Sequence, residues 1–297
     1  MVVLADYRVK ATAAGGSIRA IAAVTTTTAL QVQKVHQASP VAAAALGRLI
    51  TAASLLAADF KDEFRLTAEV EAGGPLGRVV AEVRTGGLVR ARAEHPTVDM
   101  PLRSDGKLAV GQAVGTHGIL RVVREERGRT AYEGQAPIVS GEIGEDLANY
   151  YRSSEQIPAA VALGVLIGRE GLVVASGGLV IQALPGIREM TTDEIAEKFQ
   201  TLHNISWRLS RGESPEDLLR EVLPSPVHWL STETLDYQCQ CSAERSLEII
   251  GGLPESDLVA LIQEQGAEVV CHYCNTAYPI SLFDLEQIRN MRAHRKN

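Results

Sequence analysis

Hydrophobic positions in the first two thirds of the chain recur mainly at every second residue, which is the spacing of β-strands. The clearest alternation runs over residues 64–70, where apolar and polar side chains follow one another without a break. Turns that contain glycine separate such segments, as at Gly73-Gly74-Pro75 and at Arg127-Gly128-Arg129. The pattern therefore predicts strands within residues 6–26, as a hairpin that turns at 14–17, and within 63–94, 119–123, 130–135, 159–167 and 172–184.

Two helices are expected between the first hairpin and the strands that follow it. Thr27 or Thr28 can cap a helix that ends at His36, and a proline opens an alanine-rich helix over residues 40–58. This second segment contains the longest apolar run of the chain, but Arg48 interrupts it. We therefore expect a buried helix rather than a membrane span.

A further helix is expected in the middle of the chain, over about residues 142–156. Ser140 is its predicted cap, and its first turn is acidic, which suits the positive end of the helix dipole. The two strands that follow it, at 159–167 and 172–184, are apolar on both faces. Helices or a second sheet must therefore cover both sides of the sheet that contains them.

The hydrophobic period changes to that of an amphipathic helix after Gly186. A second helix begins with Ser214 as its cap and Pro215 in its first position. One face of the preceding helix carries the apolar residues Ile195, Phe199, Leu202, Ile205 and Leu209. We interpret residues 187–232 as an amphipathic helical linker whose apolar stripe rests on the sheet of the N-terminal region.

The C-terminal region, residues 233–297, combines short helices with a strand. Ser242 is the expected cap of one helix, a second helix covers residues 255–265, and Ser281 with Asp284 has the form of a capping box. All four cysteines of the chain lie in this region, so its chemistry differs from that of the rest of the sequence.

The composition is that of a globular protein without an evident nucleic-acid or membrane surface. Hydrophobic residues make up 45% of the chain, and the mean hydropathy is +0.02. The net charge of -7 argues against nucleic acid, which selects for lysine and arginine on one face. The N-terminal residues lack the basic segment and apolar core of a signal peptide, so a cytoplasmic location is expected. Motifs for nucleotide cleavage, zinc proteolysis and serine hydrolysis are absent from the sequence, so we do not expect an enzyme.

The four cysteines form two close pairs, Cys239-Gln240-Cys241 and Cys271-His272-Tyr273-Cys274. Two such pairs allow four thiolates to converge on one tetrahedral ion, for which zinc is the best candidate. Four sulfur ligands leave no open position for water, so we expect a closed site rather than a catalytic one. His272 is expected to lie outside the ligand set.

A structural zinc ribbon is the simplest interpretation of this site, but the Cys-x-Cys pair is tighter than the usual ribbon spacing. A disulfide within it would be strained and readily reduced. Zinc keeps the sulfurs as thiolates, which an oxidant can attack with release of the metal. Closing each small loop gives only about 1.5 to 2 kcal/mol, whereas losing structural zinc removes roughly 10 to 16 kcal/mol. Oxidation within the pairs is therefore expected to unfold the region.

Several stretches of the sequence, in the same order, resemble the redox-regulated holdase chaperones known as thirty-three-kilodalton heat-shock proteins. The stretches are Ser140-Gly141-Glu142-Ile143-Gly144-Glu145-Asp146, Ser154-Glu155-Gln156-Ile157-Pro158, Leu163-Gly164-Val165-Leu166, Gly178-Leu179-Val180-Ile181-Gln182-Ala183-Leu184-Pro185-Gly186 and the cysteine pairs with Ser242-Ala243-Glu244-Arg245.

The resemblance implies an α+β fold in three parts. Residues 1–186 would be an N-terminal core chaperone domain of two β-sheets with packed helices, 187–232 a helical linker, and 233–297 a small α+β zinc-binding redox-switch domain. The reduced protein would be inactive as a chaperone and would hold one Zn²⁺ on four ligands, Cys239, Cys241, Cys271 and Cys274.

Oxidation is implied to switch such a protein on. It would join Cys239 to Cys241 and Cys271 to Cys274, release zinc, and unfold the C-terminal region and the linker. The active form would be a homodimer that holds unfolding client proteins without ATP under oxidative stress. The client-binding region would include the linker stripe of Ile195, Phe199, Leu202, Ile205 and Leu209, because an unmasked apolar stripe can bind other apolar chains.

Two other functions remain open on the residues alone. A constitutive zinc-ribbon adaptor would bind a macromolecule through its C-terminal domain, and oxidant would abolish that function rather than induce it. A thiol oxidoreductase would use Cys271 and Cys274 to turn over a disulfide substrate, although no thioredoxin-like βαβ pattern surrounds this pair.

Overall fold

A computed structural model describes residues 5–60, 62–187 and 189–295. Its internal contacts divide the chain into two compact units, one that extends to Gln238 and one that begins at Cys239. The three-part division at residues 186 and 232 stays a prediction. Each unit is described by itself below.

The first unit contains both strands and helices, which alternate along the chain. Its elements are β1 (Tyr7–Ala13), β2 (Ile18–Val24), α1 (Thr26–His36), α2 (Pro40–Leu56), β3 (Phe64–Glu71), β4 (Val79–Arg84), β5 (Leu88–Ala93), α3 (Val110–Val114), β6 (Ile119–Glu126), β7 (Arg129–Pro137), α4 (Gly144–Ser153), β8 (Ala159–Ile167), β9 (Val173–Ala183), α5 (Glu189–Thr201), α6 (Ile205–Ser210), α7 (Pro215–Val222), β10 (His228–Thr234) and β11 (Asp236–Tyr237).

The strands of this unit form two sheets, as expected for the α+β fold. One sheet has five antiparallel strands in the order β10-β1-β2-β9-β8. The other has six strands in the order β11-β5-β4-β3-β6-β7, of which only β11 and β5 run parallel. The first hairpin turns at residues 14–17, where Gly15 and Gly16 adopt φ angles of 65° and 91° that favour glycine.

Helix α2 contacts strands of both sheets and forms the centre of the main core. Its small residues allow this close packing: a Cβ atom on Gly47 would lie 2.8 Å from Cγ2 of Val165 and 3.0 Å from Oγ of Ser176. By length and composition the segment Pro40–Asp59 could cross a membrane, but 89% of its most apolar stretch is buried inside the protein. The prediction of a buried helix is therefore confirmed.

Two helix starts are capped by residues that sequence reasoning did not select. Neither Thr27 nor Thr28 caps α1; instead the buried carboxylate of Asp6 accepts hydrogen bonds from both of their backbone N–H groups, at 3.0 and 2.6 Å. Ser140 does not cap the next predicted helix either, because α4 begins at Gly144. The buried Asp146 accepts hydrogen bonds there from four backbone N–H groups, those of Val139, Ser140, Gly141 and Ile143.

The apolar stripe of residues 187–232 packs against the five-stranded sheet, in the second core of this unit. The stripe spans two helices rather than one, because α5 ends at Thr201 and Asn204 takes a left-handed conformation with φ of 56° before α6. Its buried members are Ile195, Leu202, Ile205 and Leu209, and Phe199 is partly buried. Helix α7 begins at Ser214 and Pro215, as predicted.

Three polar contacts fix this linker segment. The Tyr7 hydroxyl on β1 donates to Oε2 of Glu216 on α7 at 2.6 Å. Arg208 on α6 pairs with Glu213 and Glu221, each at 2.6 Å. These contacts join the linker helices to one another and to the sheet on which the apolar stripe is buried.

The second unit is smaller. It consists of α8 (Ala243–Gly251), α9 (Glu255–Gln263), an antiparallel hairpin of β12 (Gly266–Val270) and β13 (Ala277–Ser281), and α10 (Leu282–Arg295). The predicted caps are confirmed at Ser242, which accepts from the Arg245 N–H, and at Ser281, whose hydroxyl and N–H donate to Asp284. Its buried core consists of only Ile250, Leu258, Ile280, Leu285 and Ile288 among the described residues.

Candidate metal centre

The four cysteines meet at one end of the second unit. Cys239 and Cys241 precede α8, and Cys271 and Cys274 lie in the turn between β12 and β13. Two backbone hydrogen bonds shape that turn: the Asn275 N–H donates to the Cys271 carbonyl at 2.8 Å, and the Cys271 N–H donates to the Thr276 carbonyl at 2.9 Å. The tight turn thus directs two thiols toward the segment before α8.

The sulfur positions fit a tetrahedral metal ion. All four Sγ atoms lie within 4.8 Å of one another, and the shortest separations are 3.6 Å between Cys239 and Cys271 and 3.3 Å between Cys241 and Cys274. Four sulfurs placed about 2.3 Å from a zinc ion would be separated by about 3.8 Å. Within the described ranges this is the only group of three or more such side chains that could hold a metal, and His272 is not part of it.

Two polar side chains on the β13 side of the turn contact the sulfurs. The Tyr278 hydroxyl donates to Sγ of Cys241 at 3.1 Å, and Oγ1 of Thr276 is hydrogen-bonded to Sγ of Cys274 at 3.2 Å. Hydrogen bonds of this kind orient ligands and stabilise their thiolate form. Sequence reasoning missed both residues, although Thr276 and Tyr278 follow Cys274 at the even spacing that places side chains on one face of an extended strand.

The thiols differ in acidity because their surroundings differ. Burial raises the pKa of Cys239 to about 12, and neighbouring thiols add to the effect. Burial alone would raise the pKa of Cys274 as well, but hydrogen bonds with Thr276, and with the thiols of Cys241 and Cys271, outweigh it and lower the pKa to about 7. By its lower pKa, Cys274 is therefore more easily deprotonated near neutral pH than Cys239.

The arrangement of the four thiols allows two kinds of chemistry, metal binding and disulfide formation. Four thiolates can close the coordination shell of one zinc ion, which favours a structural role over a catalytic one. The same close sulfurs can be oxidised to disulfides once the metal is gone. In the other unit, the linker residues Ile195, Phe199, Leu202, Ile205 and Leu209 surround no such centre; they pack on the sheet.

A comparison with known proteins decides the family. The sequence profile described as Hsp33 protein matches residues 6–281 of this chain. The chain belongs to the Hsp33 family. It is 39% identical over 296 residues to the 33 kDa chaperonin of Geobacillus sp. (strain WCH70), which covers 99% of this chain and 100% of the relative.

Other Hsp33 relatives agree in sequence and in fold. The 33 kDa chaperonin of Staphylococcus carnosus is 41% identical over 283 residues, covering 95% of this chain and 96% of the relative. The crystal structure of the 33 kDa chaperonin (heat shock protein 33 homolog) from Thermotoga maritima superposes with a TM-score of 0.89 at 31% identity, covering 98% of this chain and 100% of that one. The match confirms the α+β fold, and the cysteine cluster is compatible with the one zinc expected for an Hsp33 protein.

Proposed function

We propose that this Hsp33 protein is an ATP-independent holdase chaperone that oxidation activates. The observation that carries the proposal is that two features occur in one chain. The linker buries its apolar stripe against a sheet, and the unit that follows contains four thiolates that can hold it folded through a metal ion. We place the protein in the cytoplasm and expect the activated form to be a homodimer that binds unfolding proteins.

The small size of the second unit supports a dependence on zinc. Its core contains few fully buried side chains, and a unit of this size rarely folds on its own core alone. In the reduced state Cys239, Cys241, Cys271 and Cys274 would hold the ion, which supplies roughly 10 to 16 kcal/mol toward folding in comparable sites. Loss of the metal would therefore remove more than the unit can replace.

Oxidation would convert the four thiolates into two disulfides. In the proposed pairing, Cys239 bonds to Cys241 and Cys271 bonds to Cys274. Each pair loses two electrons to one hydrogen peroxide, which takes up two protons and leaves as two water molecules. With all four sulfurs in disulfides, Cys239, Cys241, Cys271 and Cys274 would no longer offer thiolate ligands to a zinc ion. Since each bridge closes a very short loop, the disulfides contribute only about 1.5 to 2 kcal/mol each, and the unit unfolds.

Release of the linker would then create the client-binding surface. Helices α5, α6 and α7 cover apolar residues of β1, β2 and β9, so their departure exposes the linker stripe and the sheet face together. Extended apolar patches of this kind bind other apolar chains. Ile195, Phe199, Leu202, Ile205 and Leu209 are the residues we propose for client contact.

Light scattering of a thermally unfolding client tests the proposal. The reduced, zinc-loaded protein should leave the client to aggregate, and the peroxide-treated protein should suppress the scattering at a similar molar ratio. Equal suppression by both forms, or suppression only by the reduced form, would contradict an oxidative switch. Steady turnover of a disulfide substrate would instead favour the oxidoreductase.

A further inference from the structure

Strand β10 forms one edge of the five-stranded sheet and is held there by β1. Every side chain of β10 except that of Glu233 is exposed, so the strand buries little apolar surface on the sheet. Most side chains of β1, in contrast, are buried. The contact between the two strands therefore consists mainly of backbone hydrogen bonds, which do not depend on the sequence of the bound strand.

One side-chain contact between these strands is specific. The guanidinium of Arg8 on β1 is 2% exposed and donates to Oε2 of Glu233, the residue directly opposite it in the ladder. Arg8 also donates to the Ser54 carbonyl of α2 at 2.7 Å. Within the described residues Glu233 is the only carboxylate that Arg8 contacts. Because a buried charge that loses its partner is costly, Arg8 favours a bound strand with a carboxylate at this position.

The chain continues along the same edge beyond β10. The Leu235 N–H donates to the Asp6 carbonyl at 2.9 Å, and the Leu235 side chain is buried in the core around α2. This bond also shows which backbone groups face β1, since alternate residues of an antiparallel strand point toward the partner. The N–H groups of Glu233 and Ser231 therefore face β1, and the N–H group of Thr232 faces away from it.

The strand on this edge belongs to the segment that oxidation is proposed to release. Strand β10 follows the linker helices and precedes Cys239 by only a few residues. Unfolding on both sides would leave it without support at either end. Strand β1 would then be the edge of the sheet, with unpaired N–H and C=O groups. Such an edge is a template for another extended chain.

We propose that the edge of β1 binds extended segments of unfolding client proteins by strand addition, and that β10 occupies this edge in the reduced protein. Strand addition at β1 rests on the proposed oxidative release and adds a second client surface to the apolar stripe. Backbone pairing accepts many sequences, as a holdase requires. Arg8 and the space that Leu235 vacates favour clients with an acidic residue two positions before a leucine.

Fluorescence anisotropy of a labelled peptide with the sequence of residues 227–238 tests the edge. The oxidised full chain should bind it with a dissociation constant on the order of 10 µM. The reduced, zinc-loaded chain should bind at least about tenfold more weakly, because its own β10 competes at a high effective concentration.

Three altered peptides identify the mode of binding. Methylation of the Ser231 backbone nitrogen removes an N–H that faces β1 and should weaken binding at least about tenfold. Methylation of the Thr232 nitrogen is the matched control and should leave the affinity within about twofold, since that N–H faces away. Glu233→Gln in the peptide removes the charge opposite Arg8 and should weaken binding about tenfold.

A full-chain variant tests the edge without oxidant. Glu233→Gln leaves Arg8 without a carboxylate while the chain keeps β10. The reduced, zinc-loaded variant should therefore bind the unmodified peptide at least about tenfold more tightly than the reduced parent. Glu133→Gln breaks an exposed ion pair with Arg121 in the other sheet and should leave peptide binding unchanged.

The holdase assay separates failure of the edge from failure of the proposed function. Oxidised protein that suppresses client scattering but does not bind the peptide, or that binds both methylated peptides equally, would overturn strand addition and leave the function standing. Backbone amides of β1 that stay protected from hydrogen exchange after oxidation would also overturn it, since β10 of a second copy then fills the edge. If oxidised protein lacks holdase activity, the proposed function fails, and strand addition fails with it unless the reduced Glu233→Gln variant binds the peptide more tightly than the parent.

Discussion

Truncation of Leu209 to alanine tests how firmly the linker covers the sheet. Leu209 on α6 is 4% exposed and packs directly on β9, where a Cβ atom on Gly177 would lie 2.4 Å from its Cδ1. Glycine at that position lets the leucine approach the backbone. Replacing a buried leucine by alanine removes transfer free energy and leaves a cavity, with measured costs of 2.7 to about 5 kcal/mol in one well-studied series.

We expect a cost near the lower end, about 3 kcal/mol, because a surface helix can shift to close part of the cavity. If the cost falls on docking of the linker, the undocked population rises by roughly 100-fold. The reduced, zinc-loaded Leu209→Ala protein should therefore suppress client aggregation without any oxidant. The two tryptophans of the chain, Trp207 on α6 and Trp229 on β10, provide a fluorescence signal for undocking.

Leu76→Ala is the matched control. Leu76 is fully buried in the core around α2, outside the cluster that contains the linker residues, so its truncation destabilises the unit without touching the docked face. This variant should melt earlier but stay inactive as a holdase when reduced. If Leu209→Ala makes the linker sensitive to protease and yet gains no more activity than Leu76→Ala, linker release does not expose the client-binding surface.

Three further changes probe the site and the linker. Tyr278→Phe removes the hydrogen bond to Cys241, so the variant should bind zinc about tenfold more weakly in competition with a chromogenic chelator. An unchanged zinc affinity would show that this hydrogen bond does not stabilise the site. Cys274→Ser removes one ligand, and the reduced variant should purify without stoichiometric zinc, with a protease-sensitive C-terminal unit. Hydrogen bonds from Ser214 hold the pKa of Asp217 below its usual range, so the stability that this cap gives α7 is present at neutral pH and is lost as pH falls through the folded-state pKa. Asp217→Asn keeps an acceptor oxygen but removes the negative charge from the first turn of α7, so it should cost about 0.5 kcal/mol at pH 7 in urea unfolding, and the difference from the parent should shrink in acid.

Sequence reasoning succeeded where the cause of a structure is local. The alternation in 64–70 predicts β3, and the proline and serine pattern at Ser214-Pro215 predicts the start of α7. The cysteine pairs predicted the cluster of four thiols because two close pairs at those spacings can converge on one tetrahedral ion.

It failed where distant residues decide the local structure. The cap of α1 comes from Asp6, whose carboxylate accepts from backbone N–H groups 21 and 22 residues further along the chain. The cap of α4 is local but was assigned to the wrong residue: Asp146, in the first turn of that helix, accepts from N–H groups three to seven residues before it. Strand β10 has mostly exposed side chains and no clear alternation, so only its pairing with β1 makes it a strand. The short helix α3 was also missed, since five residues are too few to show a helical period.

The structure of the linker was predicted only in part from the sequence. Its apolar stripe is visible in the sequence, and its packing on the sheet follows from the need to bury it. The break between α5 and α6 is not visible, because a single left-handed residue, Asn204, interrupts an otherwise continuous helical pattern.

The most direct measurement couples metal content to order in the same sample. Native mass spectrometry with hydrogen exchange, before and after peroxide, reports bound zinc and the protection of each segment together. The account predicts one zinc per reduced chain with protected amides in both the C-terminal unit and the linker, and loss of the ion and of both sets of protection on oxidation. Zinc-free reduced protein with a fully protected C-terminal unit would contradict it.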